Sequence, residues 1–128
     1  MPKTIISSEK APAAIGPYSQ AVEANGIVFL SGQIPLVPET GLVEEGGFEA
    51  QARRVLSNFE AVLAAAGLGW GDVVKTIVFL TDLGQFQVFN EIYAEKINCD
   101  PPARAVVQVS ALPRGAEIEM EGVALKGL

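Results

Sequence analysis

The first residue whose type suggests a chemical role is an arginine at the start of an apolar segment. Residues 102–109 read PARAVVQV, and Arg104 precedes a run of Ala and Val that is typical of a half-buried strand. A guanidinium is always charged and can hold a carboxylate or a phosphate through two parallel hydrogen bonds. Two interpretations therefore stand side by side: an ion pair with a neighbouring strand, or a clamp for an anionic substrate.

Carboxylates recur at every second position further along the chain. Glu117, Glu119 and Glu121 alternate with apolar residues in AEIEMEGVAL, so we expect them to share one face of a strand. On an exposed face such residues are only solvated, whereas in a cleft a glutamate can act as a general acid or base. Arg104 could reach one of these carboxylates, either as a structural pair or as a cationic clamp beside an acid or base.

Two further segments bring polar groups to the ends of strands. GPYSQA (16–21) contains Tyr18, and SGQIP (31–35) begins with Ser31 and Gly32, where the backbone can approach a ligand closely. Taken alone, the first segment favours a turn with a half-buried tyrosine, and the second is a weak signal. GLGWGD (67–72) follows a helix and precedes a strand, so it indicates a helix C-terminus and not a phosphate-binding loop.

The composition narrows the chemistry that is available. The 128 residues suffice for one domain, and they include no histidine and one cysteine, Cys99. This excludes a Ser-His-Asp triad, a Cys-His pair and imidazole metal ligands, and we expect no zinc or copper site. Acid–base chemistry must then fall to Glu, Asp, Tyr, Lys or water. We expect Cys99 to be an ordinary thiol and not a nucleophile.

Charge and hydropathy bear on partners and compartment. A net charge of −6 and a pI near 4.6 disfavour binding to nucleic acid. The longest apolar runs are far too short for a signal peptide or a membrane span, and a lone cysteine suits a reducing compartment, so we expect a soluble, cytoplasmic protein without membrane contact. Hydrophobic residues make up 49% of the chain, a share that would allow apolar surface to be buried between subunits.

The order of the predicted elements indicates the fold class. Asn25-Gly26 between two apolar runs predicts a β-hairpin, and apolar residues at three- and four-residue steps predict a helix over 48–66. The other predicted elements are a loop at 33–47, a strand at 73–80, a helix from Thr81-Asp82 to Ile97, and strands within 102–112 and 116–128. This order predicts a single α+β domain, a mixed β-sheet with two helices packed on one face. The other face would stay bare unless copies of the chain cover it.

Four segments in this order closely resemble the Rid family, the reactive intermediate enamine/imine deaminases also called YjgF proteins. They are GPYSQA, VFLSGQIP, VVKTIVFLTDL with FNEIYAE, and PPARAVVQVSALPRGAEIEMEGVAL, and the resemblance spans residues 3–126. It implies a chorismate-mutase-like homotrimer with clefts between adjacent subunits and no metal or organic cofactor. The implied reaction is hydrolysis of 2-imino acids such as 2-iminobutanoate and 2-iminopropanoate, released by pyridoxal-phosphate enzymes, to 2-oxo acids and ammonia.

The resemblance also assigns roles to residues. It makes Arg104 the carboxylate clamp and Glu119 the water-activating group. Further positions that it places along the cleft are Tyr18, Ser31, Gly32, Asn90 and Val106. Val106 stands where the family often has Cys, which argues against thiol chemistry and leaves its backbone carbonyl as the functional group.

Three other functions remain open on the sequence. A binding or regulatory protein could hold a 2-oxo acid with the same clamp and without turnover. RNA cleavage is disfavoured by the acidic pI and the absence of histidine. Chorismate mutase activity is suggested by fold analogy alone, and one clamp arginine is thin for a dicarboxylate.

Overall fold

The computed structural model describes residues 2–98 and 100–127. Cys99 lies outside the described residues, so its role as an ordinary thiol stays a prediction. In chain order the elements are β1 (Thr4–Ile6), β2 (Ala21–Ala24), β3 (Ile27–Gln33), α1 (Phe48–Ala65), a 3₁₀ turn (Trp70–Asp72), β4 (Val73–Leu80), a 3₁₀ turn (Leu83–Gln85), α2 (Phe86–Lys96), β5 (Ala103–Gln108), a 3₁₀ turn (Pro113–Gly115) and β6 (Ile118–Leu125).

The strands form one six-stranded mixed sheet in the order β1-β2-β3-β6-β4-β5. Every neighbouring pair is antiparallel except β4 and β5, which are parallel because α2 carries the chain back across the sheet between them. Both helices pack on one face, so the predicted α+β class and layer arrangement are confirmed. Strand β1 was not predicted, because three residues are too short to show a period of two.

The predicted hairpin and the predicted end of α1 are both present. Asn25 and Gly26 have φ values of 52° and 78°, the positive values that a two-residue turn of type I′ requires, and Ala24 pairs with Ile27. Gly67, with φ of 77°, follows the C-terminus of α1 and donates to the carbonyl of Ala64. The glycines at 67–72 therefore begin as a helix cap, as the sequence indicated.

The core lies between the helices and the sheet. Apolar residues of α1 at helical spacing are fully buried, and Phe59 packs directly over β6. A Cβ atom at Gly122 would lie 2.8 Å from the Phe59 ring and 2.9 Å from the Lys75 carbonyl oxygen. Gly122 therefore lets the helix approach β6, the strand that also carries Glu119.

The opposite face of the sheet is uncovered and largely apolar. Ile5, Phe29 and Val107 are 56%, 46% and 41% exposed there. Cross-strand pairing of Phe79 with Glu119 and of Ile77 with Glu121 places both carboxylates on this same face. Covering this face in an assembly would bury three large apolar side chains.

One carboxylate departs from the expected pattern. Glu117 precedes the first residue of β6, so the alternation of the strand does not govern it. Its Oε2 accepts a hydrogen bond from Nε2 of the buried Gln51 on α1 at 3.1 Å, and its backbone N–H donates to Gln51 Oε1 at 2.9 Å. The prediction that the three glutamates share a face is therefore wrong for Glu117.

Neither described helix has the length and apolar character needed to cross a bilayer.

Candidate active site

A pocket of about 310 Å³ opens on the uncovered face and gathers four of the predicted site residues. Tyr18 comes from the loop before β2, Ser31 and Gly32 from β3, and Glu119 from β6. Residues that the sequence did not assign to a site complete the wall: Ile15, Ile34, Pro113 and Glu121. The alternation of glutamates in the sequence could have placed Glu121 beside Glu119, whereas no sequence pattern points to the three apolar residues.

An irregularity in β3 brings Gly32 against the carboxyl group of Glu119. The pairing of β3 with β6 shifts register between Leu30 and Gln33, which is a β-bulge. An ideal Cβ at Gly32 would lie 2.0 Å from Glu119 Oε2 and 2.9 Å from its Cδ. A side chain at position 32 would thus displace the carboxyl group, so the constraint on this position comes from the contact with Glu119 and not from backbone conformation.

Glu119 is held in an environment that disfavours its charge. The residue is half-buried, and this burial raises the pKa of its carboxyl group, with the negative charge of Glu121 as the smaller cause. No lysine or arginine among residues 2–98 and 100–127 lies within 4.0 Å of its oxygens. A carboxyl group with a raised pKa can both accept and return a proton closer to neutral pH.

Two hydroxyl groups flank this carboxyl with different hydrogen-bonding capacity. Ser31 Oγ donates to the carbonyl of Ser19 at 2.6 Å, so its remaining capacity is to accept. Tyr18 Oη accepts from the backbone N–H of Ile15 at 3.3 Å, and within the described part of the chain its proton is not donated. Tyr18 can therefore donate to a ligand or to a water in the pocket.

Arg104 lies on the other face of the sheet. It pairs with Thr76, whose side chain is buried on the helix face, whereas Glu119 pairs with Phe79, three residues further along β4. No carboxylate in the described ranges comes within 4.0 Å of its guanidinium. The ion pair with a neighbouring strand, one of the two interpretations of the sequence, is therefore not formed.

Aromatic rings of α2 surround the guanidinium instead. Its Cζ atom lies 4.9 Å from the ring centroid of Tyr93, 5.7 Å from that of Phe86 and 5.8 Å from that of Phe89. These distances fall within the range of cation–π attraction. The rings stabilise the charge without neutralising it, and they leave the N–H groups available for an anion.

Asn90 and Val106 belong to the same side as Arg104. Val106 pairs with the fully buried Val78 and packs against the core between sheet and helices. Asn90 lies on α2 one turn after Phe86, and its buried Oδ1 has no hydrogen-bond partner among the described residues. It is an acceptor that a donor from outside the chain could satisfy.

The predicted site residues thus form two groups on opposite faces of one sheet. Arg104, Asn90 and Val106 lie on the helix side, and Tyr18, Ser31, Gly32 and Glu119 lie on the uncovered side. A single chain therefore does not bring Arg104 and Glu119 together. The described part of the chain also holds no cluster of three or more Cys, Asp or Glu side chains arranged to bind a metal ion.

This arrangement can be compared with known proteins. The model of the family described as Endoribonuclease L-PSP matches residues 8–126, nearly the whole chain. The chain belongs to the Rid (YjgF, L-PSP) family. The resemblance noted in the sequence is therefore confirmed.

Individual Rid relatives agree with this membership. The human 2-iminobutanoate/2-iminopropanoate deaminase is 46% identical over 125 residues, which cover 98% of this chain and 91% of the relative. The crystal structure of RidA from the Antarctic bacterium Psychrobacter is 47% identical, with a TM-score of 0.92 and coverage of 95% of this chain and 98% of that one. The structure of E. coli TdcF with bound serine is 42% identical, with a TM-score of 0.91 and coverage of 97% and 99%.

Proposed function

We propose that the protein is a hydrolytic deaminase of 2-imino acids, with 2-iminobutanoate and 2-iminopropanoate as substrates and a 2-oxo acid and ammonia as products. Support comes from the Rid relatives named for this reaction at 46% identity. Serine in the TdcF structure adds that a family member binds a small molecule with a carboxylate. The residues of this chain that would do the work are Arg104 and Glu119.

The observation that carries the proposal is the free guanidinium of Arg104. A half-buried arginine that pairs with no carboxylate among residues 2–98 and 100–127 is suited to an anion from solution. The carboxylate of a 2-imino acid would accept two hydrogen bonds from it and fix the adjacent imine carbon. At contact distance this attraction is worth roughly 4 kcal/mol at an effective dielectric near 20, before desolvation is subtracted.

The positions of Arg104 and Glu119 bear on how copies of the chain would assemble. Because the two residues lie on opposite faces of the sheet, we place the complete cleft between adjacent subunits of a homotrimer. One subunit would supply Arg104, and the next would supply the pocket that contains Glu119. The exposed Ile5, Phe29 and Val107 are consistent with this, since copies packed on that face would bury them.

The chemistry follows from these positions, starting from the protonated imine. Water attacks the imine carbon, the new carbon–oxygen bond forms, and the π electrons move to nitrogen while Glu119 accepts a proton from the water. Glu119 returns this proton to nitrogen. The carbon–nitrogen bond then breaks with its electrons on nitrogen, the hydroxyl oxygen forms the carbonyl, and its proton passes through Glu119 to give ammonium. Tyr18 can orient the water by donating its free O–H.

A coupled assay tests the activity. A threonine dehydratase generates 2-iminobutanoate at neutral pH, and semicarbazide traps the imine that survives. We expect the wild type to suppress trapping and Arg104→Ala and Glu119→Gln to lose this effect. Arg104→Lys should lose most of it because an ammonium group cannot form the two-pronged contact. Arg53→Ala removes a surface arginine paired with Glu49 and Glu95 and serves as the matched control with full activity.

The outcome separates the enzyme from the binding protein that the sequence left open. Full activity of Arg104→Ala would refute the clamp. A wild type that binds 2-oxobutanoate but leaves trapping unchanged would refute the deaminase and favour a non-catalytic carboxylate-binding protein.

Mixed assemblies test the shared cleft. Arg104→Ala and Glu119→Gln chains, each inactive alone, should regain activity when they are expressed together, because some clefts then combine an intact arginine with an intact glutamate. Random mixing in a ring of three makes about a quarter of the clefts complete. Failure to recover any activity in verified mixed trimers would contradict a cleft built from two chains.

A further inference from the structure

Three aromatic rings of α2 pack around the guanidinium of Arg104, the proposed clamp, and two of them contact each other. Of the three rings near its guanidinium, that of Tyr93 is the nearest, with 4.9 Å between Cζ and the ring centroid. Phe89 packs against Tyr93 with 5.3 Å between centroids and is fully buried, so the two rings support each other. Phe86 stands at the outer end and is 38% exposed.

Tyr93 is itself fixed by the strand next to Arg104. Its hydroxyl and that of Thr76 form a buried hydrogen bond of 2.8 Å. Thr76 is also the residue on β4 that pairs with Arg104 across the parallel ladder. Thr76 therefore contacts both ends of this arrangement. Its backbone pairing with Arg104 fixes the Cα position of the arginine, and its hydrogen bond to Tyr93 fixes the ring that lies under the guanidinium.

These contacts restrict a side chain that is otherwise mobile, because arginine is long and has many rotamers. Without a carboxylate to hold it, the guanidinium would sample several positions, and a ligand would have to immobilise it at an entropic cost. Aromatic contacts restrict the group and leave its hydrogen-bond donors unused. A restricted, unpaired cation binds a carboxylate more tightly than a mobile one.

We propose that Tyr93, anchored by Thr76 and flanked by Phe86 and Phe89, is a positioning residue that holds the Arg104 guanidinium ready for the substrate carboxylate. This inference rests on the proposed deaminase function. The carboxylate is bound equally in the ground state and in the transition state, so loss of the rings weakens binding without slowing the bound reaction. The expected signature is a raised KM with kcat unchanged.

Four variants test the proposal. Tyr93→Leu removes the ring, Tyr93→Phe keeps the ring without its hydroxyl, and Phe86→Leu removes an exposed ring whose loss should not prevent folding. Val28→Ala is the control for lost core packing, because it truncates a fully buried side chain on β3, which β6 and β4 separate from the strand that carries Arg104. Calorimetry gives the dissociation constant of 2-oxobutanoate, and the coupled assay gives kcat and KM for each folded variant.

We expect Tyr93→Leu to raise the dissociation constant and KM roughly fivefold, and Phe86→Leu roughly twofold, with kcat within about twofold of wild type. Tyr93→Phe keeps the ring but loses its bond to Thr76, so its dissociation constant and KM should lie between those of wild type and Tyr93→Leu, roughly twofold above wild type. Val28→Ala should lower the melting temperature and leave KM unchanged.

A role limited to stability would give the opposite pattern. It would lower apparent kcat through loss of folded protein, and KM would stay constant. Unchanged affinity in a folded Phe86→Leu or Tyr93→Leu protein overturns the positioning role even if Arg104→Ala is inactive. An active Arg104→Ala would instead refute the clamp on which the inference rests, so the two failures are distinguishable.

Discussion

Replacement of Gly32 by alanine tests the geometry of the candidate site most directly. The added Cβ would lie 2.0 Å from Glu119 Oε2 and 3.3 Å from Cγ, whereas ordinary contact begins at 3.4 Å. The backbone of Gly32 does not have a positive φ, so alanine brings no conformational strain of its own. The methyl group therefore acts mainly by pushing the glutamate carboxyl group away from its place in the pocket.

The size of the effect follows from the required displacement. The carboxyl oxygen must retreat by more than about 1 Å, and a misplacement of this size in a reacting group costs on the order of 100-fold in rate. We expect Gly32→Ala to lower kcat for 2-iminobutanoate by roughly this factor in the semicarbazide assay. If the methyl group acts through the carboxyl, Gly32→Ala should cost less in a Glu119→Asp background than in the wild type, because the shorter side chain leaves room for the methyl group.

Gly71→Ala is the control for this experiment. A Cβ at Gly71 would meet no atom within 4 Å, and its φ is also not positive, so the variant should keep full activity. Gly32→Ala with wild-type kcat would refute the reasoning, as would additive losses in the double variant, because either result would separate position 32 from the action of Glu119.

Three further predictions concern charge and packing around the same strand. Because burial raises the pKa of Glu119 above its usual 4.5, the native state binds more protons than the unfolded state in the window above that value, and stability falls as pH rises through it. Glu119→Gln should then melt at a higher temperature than wild type at pH 7 and at the same temperature near pH 4, and equal melting at both pH values would argue against a buried charge. Glu121→Gln should lower the pKa of Glu119 and so move the acid limb of the pH–rate profile to lower pH. The shift should be partial, since burial is the larger cause of the raised pKa of Glu119. An unmoved limb would show that the charge of Glu121 does not affect Glu119. Gly122→Ala would place a methyl group 2.8 Å from Phe59 and 2.9 Å from a backbone oxygen that cannot easily move, and we expect a loss of about 2 kcal/mol in chemical denaturation. A loss below about 0.5 kcal/mol would mean that the helix can shift without cost.

Periodicity in the sequence was sufficient to predict most of the fold. The apolar stripe of α1, the Asn25-Gly26 turn and the alternation of β6 each reflect local rules, and all three are present. Local rules failed where contacts from elsewhere decide the structure. Glu117 follows the alternation of β6 in the sequence, yet the buried amide of Gln51 draws it to α1.

The site was harder to predict for a related reason. Alternation shows which residues of one strand share a face, but the faces of two strands are related only through their pairing. That Arg104 and Glu119 lie on opposite faces follows from the registers of β5 and β6 against β4, which no single segment encodes. Likewise, the contact between Gly32 and Glu119 depends on a bulge in β3 that has no sequence signal beyond a glycine.

The division of the site between two faces also bears on how the protein responds to dilution. In the proposed trimer a bound ligand touches the arginine of one chain and the glutamate pocket of another, so each occupied cleft acts as a crosslink. Ligand would then oppose dissociation of the chains by mass action, and dissociation would release ligand. Catalytic capacity in the proposed trimer would then depend on the concentration of the chain, and the proposed substrate would raise the share of chains that are assembled.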